Sequence, residues 1–150
     1  MAVVELTGEA KIYSDGYDSV IIVDNFKSKR GGVTLDATGY PKGLIRAGHV
    51  IIKETATGEL KPMPLNGAGT AYGTLPTGHT YYGILINTVK VKGNAAGNAG
   101  IMFEGTVNPV IGTKPDAQAQ GYFDITGILS AVQTAFRGID NNIKFIGDNE

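Results

Sequence analysis

Residues 80–91 read TYYGILINTVKV, the strongest strand signal in the chain and the stretch on which the fold turns. Tyr82, Ile84, Ile86, Thr88, Lys90 and Lys92 share one parity; Tyr81, Leu85, Val89 and Val91 share the other. Successive side chains of a strand point to opposite faces. Apolar residues on both parities around Leu85 therefore predict burial from both sides, with a solvated end at Lys90 and Lys92.

Outward from there the pattern stays mostly β. Upstream, residues 49–54 (HVIIKE) lead through Thr57-Gly58-Glu59 into residues 60–63, a hairpin with glycine in its turn. Pro62 and Pro64 push the second arm to a sheet edge, because proline cannot donate to the ladder. Residues 64–78 form a long Gly/Thr/Ala loop, of a length that is usually functional or mobile. Further back, residues 18–24 (DSVIIVD) read as a buried strand, residues 27–32 (KSKRGG) as a basic turn, and residues 32–36 (GVTLD) as an alternating run with Val33 and Leu35 on one face. Downstream, residues 93–100 (GNAAGNAG) read as a loop and residues 100–108 (GIMFEGTVN) as another strand.

The last third changes character. Ile125, Ile128, Leu129, Val132 and Phe136 make an amphipathic helical stripe. Asp124 is placed to cap its start and Gly138 to occupy the C′ position. Residues 143–146 (IKFI) close the chain as a short strand. At the other end, Val3, Val4, Leu6, Ile12 and Tyr13 follow no period, so residues 1–17 are expected to be an arm that orders on a partner. The rest, 18–150, is expected to form one compact, mainly β (α+β) domain with a single C-terminal amphipathic helix and a short closing strand.

Bulk properties narrow the function. The 150 residues carry a formal net charge of -1, which gives no global pull towards nucleic acid or an anionic membrane. There is no cysteine, which excludes disulfides and thiolate chemistry. The 22 glycines lack a Gly-X-Y period and point to tight turns between short strands. The opening residues place Glu5 where a signal peptide runs apolar, and the longest purely apolar run, Val20 to Val23, is far short of the about 20 residues that span a bilayer. Cytoplasmic synthesis is expected.

Chemistry finds little to work with. His49 and His79, each at a strand start, lack metal-ligand spacing and read as surface histidines. None of Ser14, Ser19, Ser28 and Ser130 sits in a G-x-S-x-G elbow. Asp15 with Asp18, or Glu54 with Glu59, could pair as acid and base, but fit turns and strand ends better. Residues 67–73 (GAGTAYG) have the wrong spacing for a dinucleotide fingerprint, and no helix pattern follows. Catalysis has no candidate, and no cofactor or metal is expected. Lys27, Lys29 and Arg30 suit a solvated turn or docking to an acidic protein surface. Tyr72, Tyr81 and Tyr82 suit a subunit interface, or stacking on a sugar in a carbohydrate-binding or adhesive module.

Four stretches carry a resemblance: residues 46–51 (RAGHVI), 57–65 (TGELKPMPL), 82–86 (YGILI) and 99–108 (AGIMFEGTVN). In this order, followed by a helix and a short strand, they resemble the head decoration proteins of tailed bacteriophages, the lambda-type capsid-stabilising family. The resemblance spans roughly residues 32–146, and Glu104 stands where arginine or another polar residue is expected. It implies a compact β-barrel or β-tulip-like fold and homotrimers at threefold positions on the outer capsid surface of the virion. It also implies that the arm orders against the major capsid protein. Val3, Val4, Leu6, Ile12, Tyr13, Lys27, Lys29 and Arg30 are then the expected capsid contacts, and nucleic acid and membrane are not expected as partners.

Overall fold

β7 (Ala95–Val107), thirteen residues long, is the spine of the molecule. Along one edge it pairs antiparallel with β1 (Ile22–Asp36), from Ile22 opposite Val107 to Asp36 opposite Ala95, with register shifts on the way. Its other edge is shared by three strands. β6 (Val89–Lys92) meets it at Ala95 and Ala96, β5 (His79–Leu85) at Ile101 and Met102, and β8 (Asn142–Phe145) runs parallel to it from Glu104 to Val107. β2 (Leu44–Ile45) extends the sheet beyond β6, while β3 (Val50–Glu54) and β4 (Leu60–Pro62) extend it beyond β5. The whole is a mostly β single domain whose curled sheet forms a half-barrel. The computed structural model describes residues 17–67, 69, 71–137 and 142–146, the side chains at 19, 20 and 30–32 excepted.

Burial on both sides of residues 84 and 85 is borne out, since neither side chain is exposed. Ile84, Val50, Ile52 and Met102 face a core with Ile125, Val132, Phe136 and Ile143. Leu85, Ile51 and Ile101 face a second core with Leu35, Ile45 and Ala96. Alternation along three neighbouring strands thus feeds two cores at once, which is why these strands read as nearly continuous apolar runs. The 57–59 hairpin is also as expected: Gly58 sits at φ +78°, where a side chain would be strained, and β4 is an edge strand.

Several expected elements differ. Residues 80–91 are two strands, because Ile86, Asn87 and Thr88 turn away; the Asn87 side chain accepts from the Gly100 N–H at 2.9 Å. Residues 93–100 are a loop only at the start, for β7 begins at Ala95 and pairs with β1 and β6. The 27–32 stretch is not a turn but the middle of β1. Residues 18–24 divide into a helical turn, α1 (Asp18–Ile21), and the start of β1, with Val23 half exposed rather than buried. A 3-10 turn (Ile111–Thr113) and a short helix, α2 (Pro115–Ala119), had no counterpart in the pattern.

The amphipathic stripe is real but its helix is short. α3 spans Leu129–Ala135, and Asp124 accepts from the Thr126 N–H at 2.8 Å, so it caps the preceding turn rather than the helix. Gly138 lies outside the described residues.

Asp18 fastens the start of the described chain. Its carboxylate accepts from the Thr88 N–H at 3.0 Å, the Thr88 hydroxyl at 2.7 Å and the Tyr122 hydroxyl, while the Tyr17 N–H donates to that same Tyr122 oxygen at 2.9 Å. Hydrogen bonds to a charged group each contribute about 1.5–3 kcal/mol, and orphaned partners add a cost. Asp18→Ala is expected to lower stability by about 2 kcal/mol, read from urea unfolding midpoints.

Candidate functional site

Of the residues that could have carried catalysis, Glu54 and His79 stand opposite each other across β3 and β5, and each has a local hydrogen-bond partner. His49 is buried, not on the surface as its sequence context suggested. Its Nε2–H donates to the Met63 carbonyl oxygen at 2.9 Å, and its ring lies edge-on to Tyr40, Tyr72 and Phe123 at centroid distances of 5.7, 5.0 and 5.8 Å. Burial lowers its pKa to about 4, so the ring is neutral at pH 7. His79 stands at the start of β5 with Nδ1 3.1 Å from the Thr77 carbonyl oxygen. Glu54 accepts from the Thr57 hydroxyl at 2.8 Å and lies 3.5 Å from Lys61 Nζ; these partners, the Thr57 hydroxyl first, hold its carboxyl below the ordinary range. Asp18 is taken up by Thr88 and Tyr122, and Asp15 and Ser14 lie outside the described residues. No group of three His, Cys, Asp or Glu suited to a metal occurs among the described residues.

The three tyrosines do not form one surface. Tyr72 packs inward on His49 and Phe123, and its hydroxyl accepts from the Val50 N–H at 3.2 Å. Tyr81 packs against Phe136 on the first core, and Tyr82 against Phe103 on the second. Adjacent residues of one strand point to opposite faces, so Tyr81 and Tyr82 cannot serve one ligand.

A depression of about 420 Å³ lies near the His49 cluster, walled by Tyr40, Pro41, Pro62, Pro64 and Pro76 with His79 at its rim. The Tyr40 hydroxyl is enclosed, and among the described residues it has no hydrogen-bond partner. The Lys61 ammonium lies between the Asp36 and Glu54 carboxylates at 3.8 and 3.5 Å. Lys61 is thus paired with neighbouring carboxylates, while the Tyr40 hydroxyl in the same wall is unpartnered among the described residues.

β1 is different. Phe26 is 72% exposed and Val23 52%, the large apolar side chains most open to solvent among the described residues. Lys27 and Lys29 flank them, also exposed, and no strand pairs with the outer side of β1 among the described residues. No family model, curated protein or solved structure matches this chain.

The basic residues singled out in the sequence therefore sit within strand β1 rather than at a turn tip. Arg30 is on the same strand, its side chain outside the description, and Val3, Val4, Leu6, Ile12 and Tyr13 lie outside the described residues altogether. Sequence reasoning missed Val23 and Phe26 as surface residues. The available signal was a phenylalanine set in DNFKSK, a context too polar for a core strand.

Proposed function

We propose that this protein is a decoration protein of a tailed-bacteriophage head: a structural, non-enzymatic protein that docks on the outer surface of the shell and stabilises it. One observation carries the reading. A phenylalanine 72% exposed beside two lysines, on a strand with no partner on its outer edge among the described residues, supports a docking surface there. Such an edge accepts an extended partner segment through main-chain hydrogen bonds, with side chains supplying specificity. The resemblance in the 46–51, 57–65, 82–86 and 99–108 stretches supplies the kind of partner, the major capsid protein, and trimers at threefold positions. Many weakly held copies would then staple the shell through multivalency.

The test is saturable binding to expanded heads of tailed bacteriophages, with light scattering for the trimer. Wild-type protein is expected to saturate the heads. Phe26→Ser with Lys27→Glu and Lys29→Glu is expected to weaken binding at least ten-fold while leaving the thermal midpoint unchanged. Wild-type protein that does not bind heads would overturn the reading.

A further inference from the structure

Pro41, Pro62, Pro64 and Pro76, four of the six prolines in the chain, stand in the wall of the depression beside Tyr40. A proline ring fixes its own φ, so this wall is set before anything enters, and binding there orders little further chain. The volume, about 420 Å³, falls within the roughly 300–1,000 Å³ typical of small-molecule sites. Ile52 and Leu65 add apolar surface.

The polar groups of the same wall are held by their neighbours without being saturated. Thr38 donates its N–H at 3.1 Å and its hydroxyl at 2.6 Å to Oδ1 of Asp36, and these bonds, the hydroxyl first, hold the carboxyl below its ordinary range. Asp36 is therefore an ionised acceptor at neutral pH. Its Oδ2 lies 3.8 Å from Lys61 Nζ, and Glu54 lies 3.5 Å from the same ammonium. Both separations exceed the about 2.7–2.9 Å of a charge-assisted hydrogen bond, so Lys61 and Asp36 keep capacity for another partner. Their side chains are 29% and 28% exposed, within reach of a ligand. In His79, Nδ1–H donates to the Thr77 carbonyl oxygen at 3.1 Å, which leaves Nε2 of the neutral ring as an acceptor. One ammonium against two carboxylates gives no strong field for a charged ligand. A neutral molecule whose hydroxyls both donate and accept, with C–H faces between them, matches the donor, the acceptors and the proline wall together.

We propose that this depression binds a neutral saccharide, either a free sugar or the terminal unit of a glycan chain. Its hydroxyls are shared between Asp36 and Lys61, its C–H face lies on the prolines, and His79 supplies a further acceptor. Asp36 is at the far end of β1 from Val23 and Phe26. The inference does not rest on the shell reading, whose own test is head binding: a protein that failed to bind heads would keep this site.

The test is titration of the full-length protein with glucose, galactose and N-acetylglucosamine, followed by amide chemical shifts. At least one sugar is expected to shift residues 38–40, 65–67 and 79 saturably, with a Kd of order millimolar or below. Lys61→Met is expected to weaken that binding at least ten-fold. Gly67→Leu is a second variant that leaves the ion pairs intact. An added Cβ at Gly67 meets nothing within 4 Å, so the fold holds while the side chain crowds the depression, and binding should again fall at least ten-fold. Lys144 pairs with Thr106, at the opposite end of β7 from Ala95, the partner of Asp36, so Lys144→Met should bind like wild type. Methyl glycosides that bind as well as the free sugars would assign the site to a glycan end, and loss on methylation would assign it to a free sugar; both support the proposal. The absence of a saturable shift with all three sugars overturns it, as do shifts confined to other residues or unchanged affinity in either Lys61→Met or Gly67→Leu. Sodium sulfate that binds at these residues more tightly than every sugar also overturns it, because the depression would then be an anion site.

Discussion

Gly105→Ala is expected to cost at least about 3 kcal/mol and to lower the thermal midpoint by about 6–12 °C. A methyl group at Gly105 would lie 2.2 Å from the Asp24 carbonyl oxygen and 2.4 Å from the Met102 sulfur. The methionine can swing away, but the carbonyl belongs to β1, and Asn25 pairs with Gly105 itself. Relief therefore requires β1 to move off β7 at this point, which loosens the strand that carries Phe26. Gly97→Ala is the control on the same strand. Nothing lies within 4 Å of its added carbon, so stability should change by no more than about 1 kcal/mol. Chemical denaturation of the two variants measures both effects. Equal midpoints would mean that the β1–β7 contact at Gly105 is not the close approach described.

The same glycine shows where the sequence was legible and where it was not. A high glycine content reads as turns, and Gly39, Gly58, Gly78 and Gly93 do sit in turns at positive φ. Gly83 and Gly105 do something else: they let backbone or bulky side chains of neighbouring strands approach, and nothing local in the sequence distinguishes them from turn glycines. Alternation at residues 50–52, 84–85 and 101–102 was readable because period two is a property of the strand itself. That β1 runs through KSKRGG was not, because pairing with β7 decides it and the local composition favours a turn. His49 was misplaced for a related reason. A lone histidine at a strand start gives no sign that Tyr40, Tyr72 and Phe123, distant in sequence, will enclose it. Among the residues of the proposed docking strand, Lys27 and Lys29 were legible by charge. Val23 and Phe26 were not, because an apolar residue announces burial, and its exposure is decided by tertiary context that local sequence does not carry.

His49 should make the protein lose stability in mild acid. In the unfolded chain its imidazole takes a proton near pH 6.5, whereas in the native state burial holds the pKa at about 4. Between these values the unfolded state binds the proton and the folded state does not, so stability falls as pH falls. The loss begins near pH 6.5, is complete near pH 4, and amounts to about 3 kcal/mol, a sizeable part of the 5–15 kcal/mol that usually holds a domain together. Burial away from water opposes protonation, and the hydrogen bond to the Met63 carbonyl oxygen offsets it only in part. Asp36 and Glu54 do not mimic this effect at its upper end, because hydrogen bonds from Thr38 and Thr57 lower their carboxyl pKa values and move their contribution to more acid pH. His49→Gln keeps a donor for the Met63 carbonyl oxygen but cannot titrate. It should be less stable than wild type at pH 7, where the ring's packing is lost, and the gap should narrow steadily from pH 6.5 to pH 5. Urea midpoints for the two proteins across that range decide the matter. Parallel curves would mean that His49 takes its proton as readily in the folded protein as in the unfolded chain, and that the aromatic enclosure does not exclude charge.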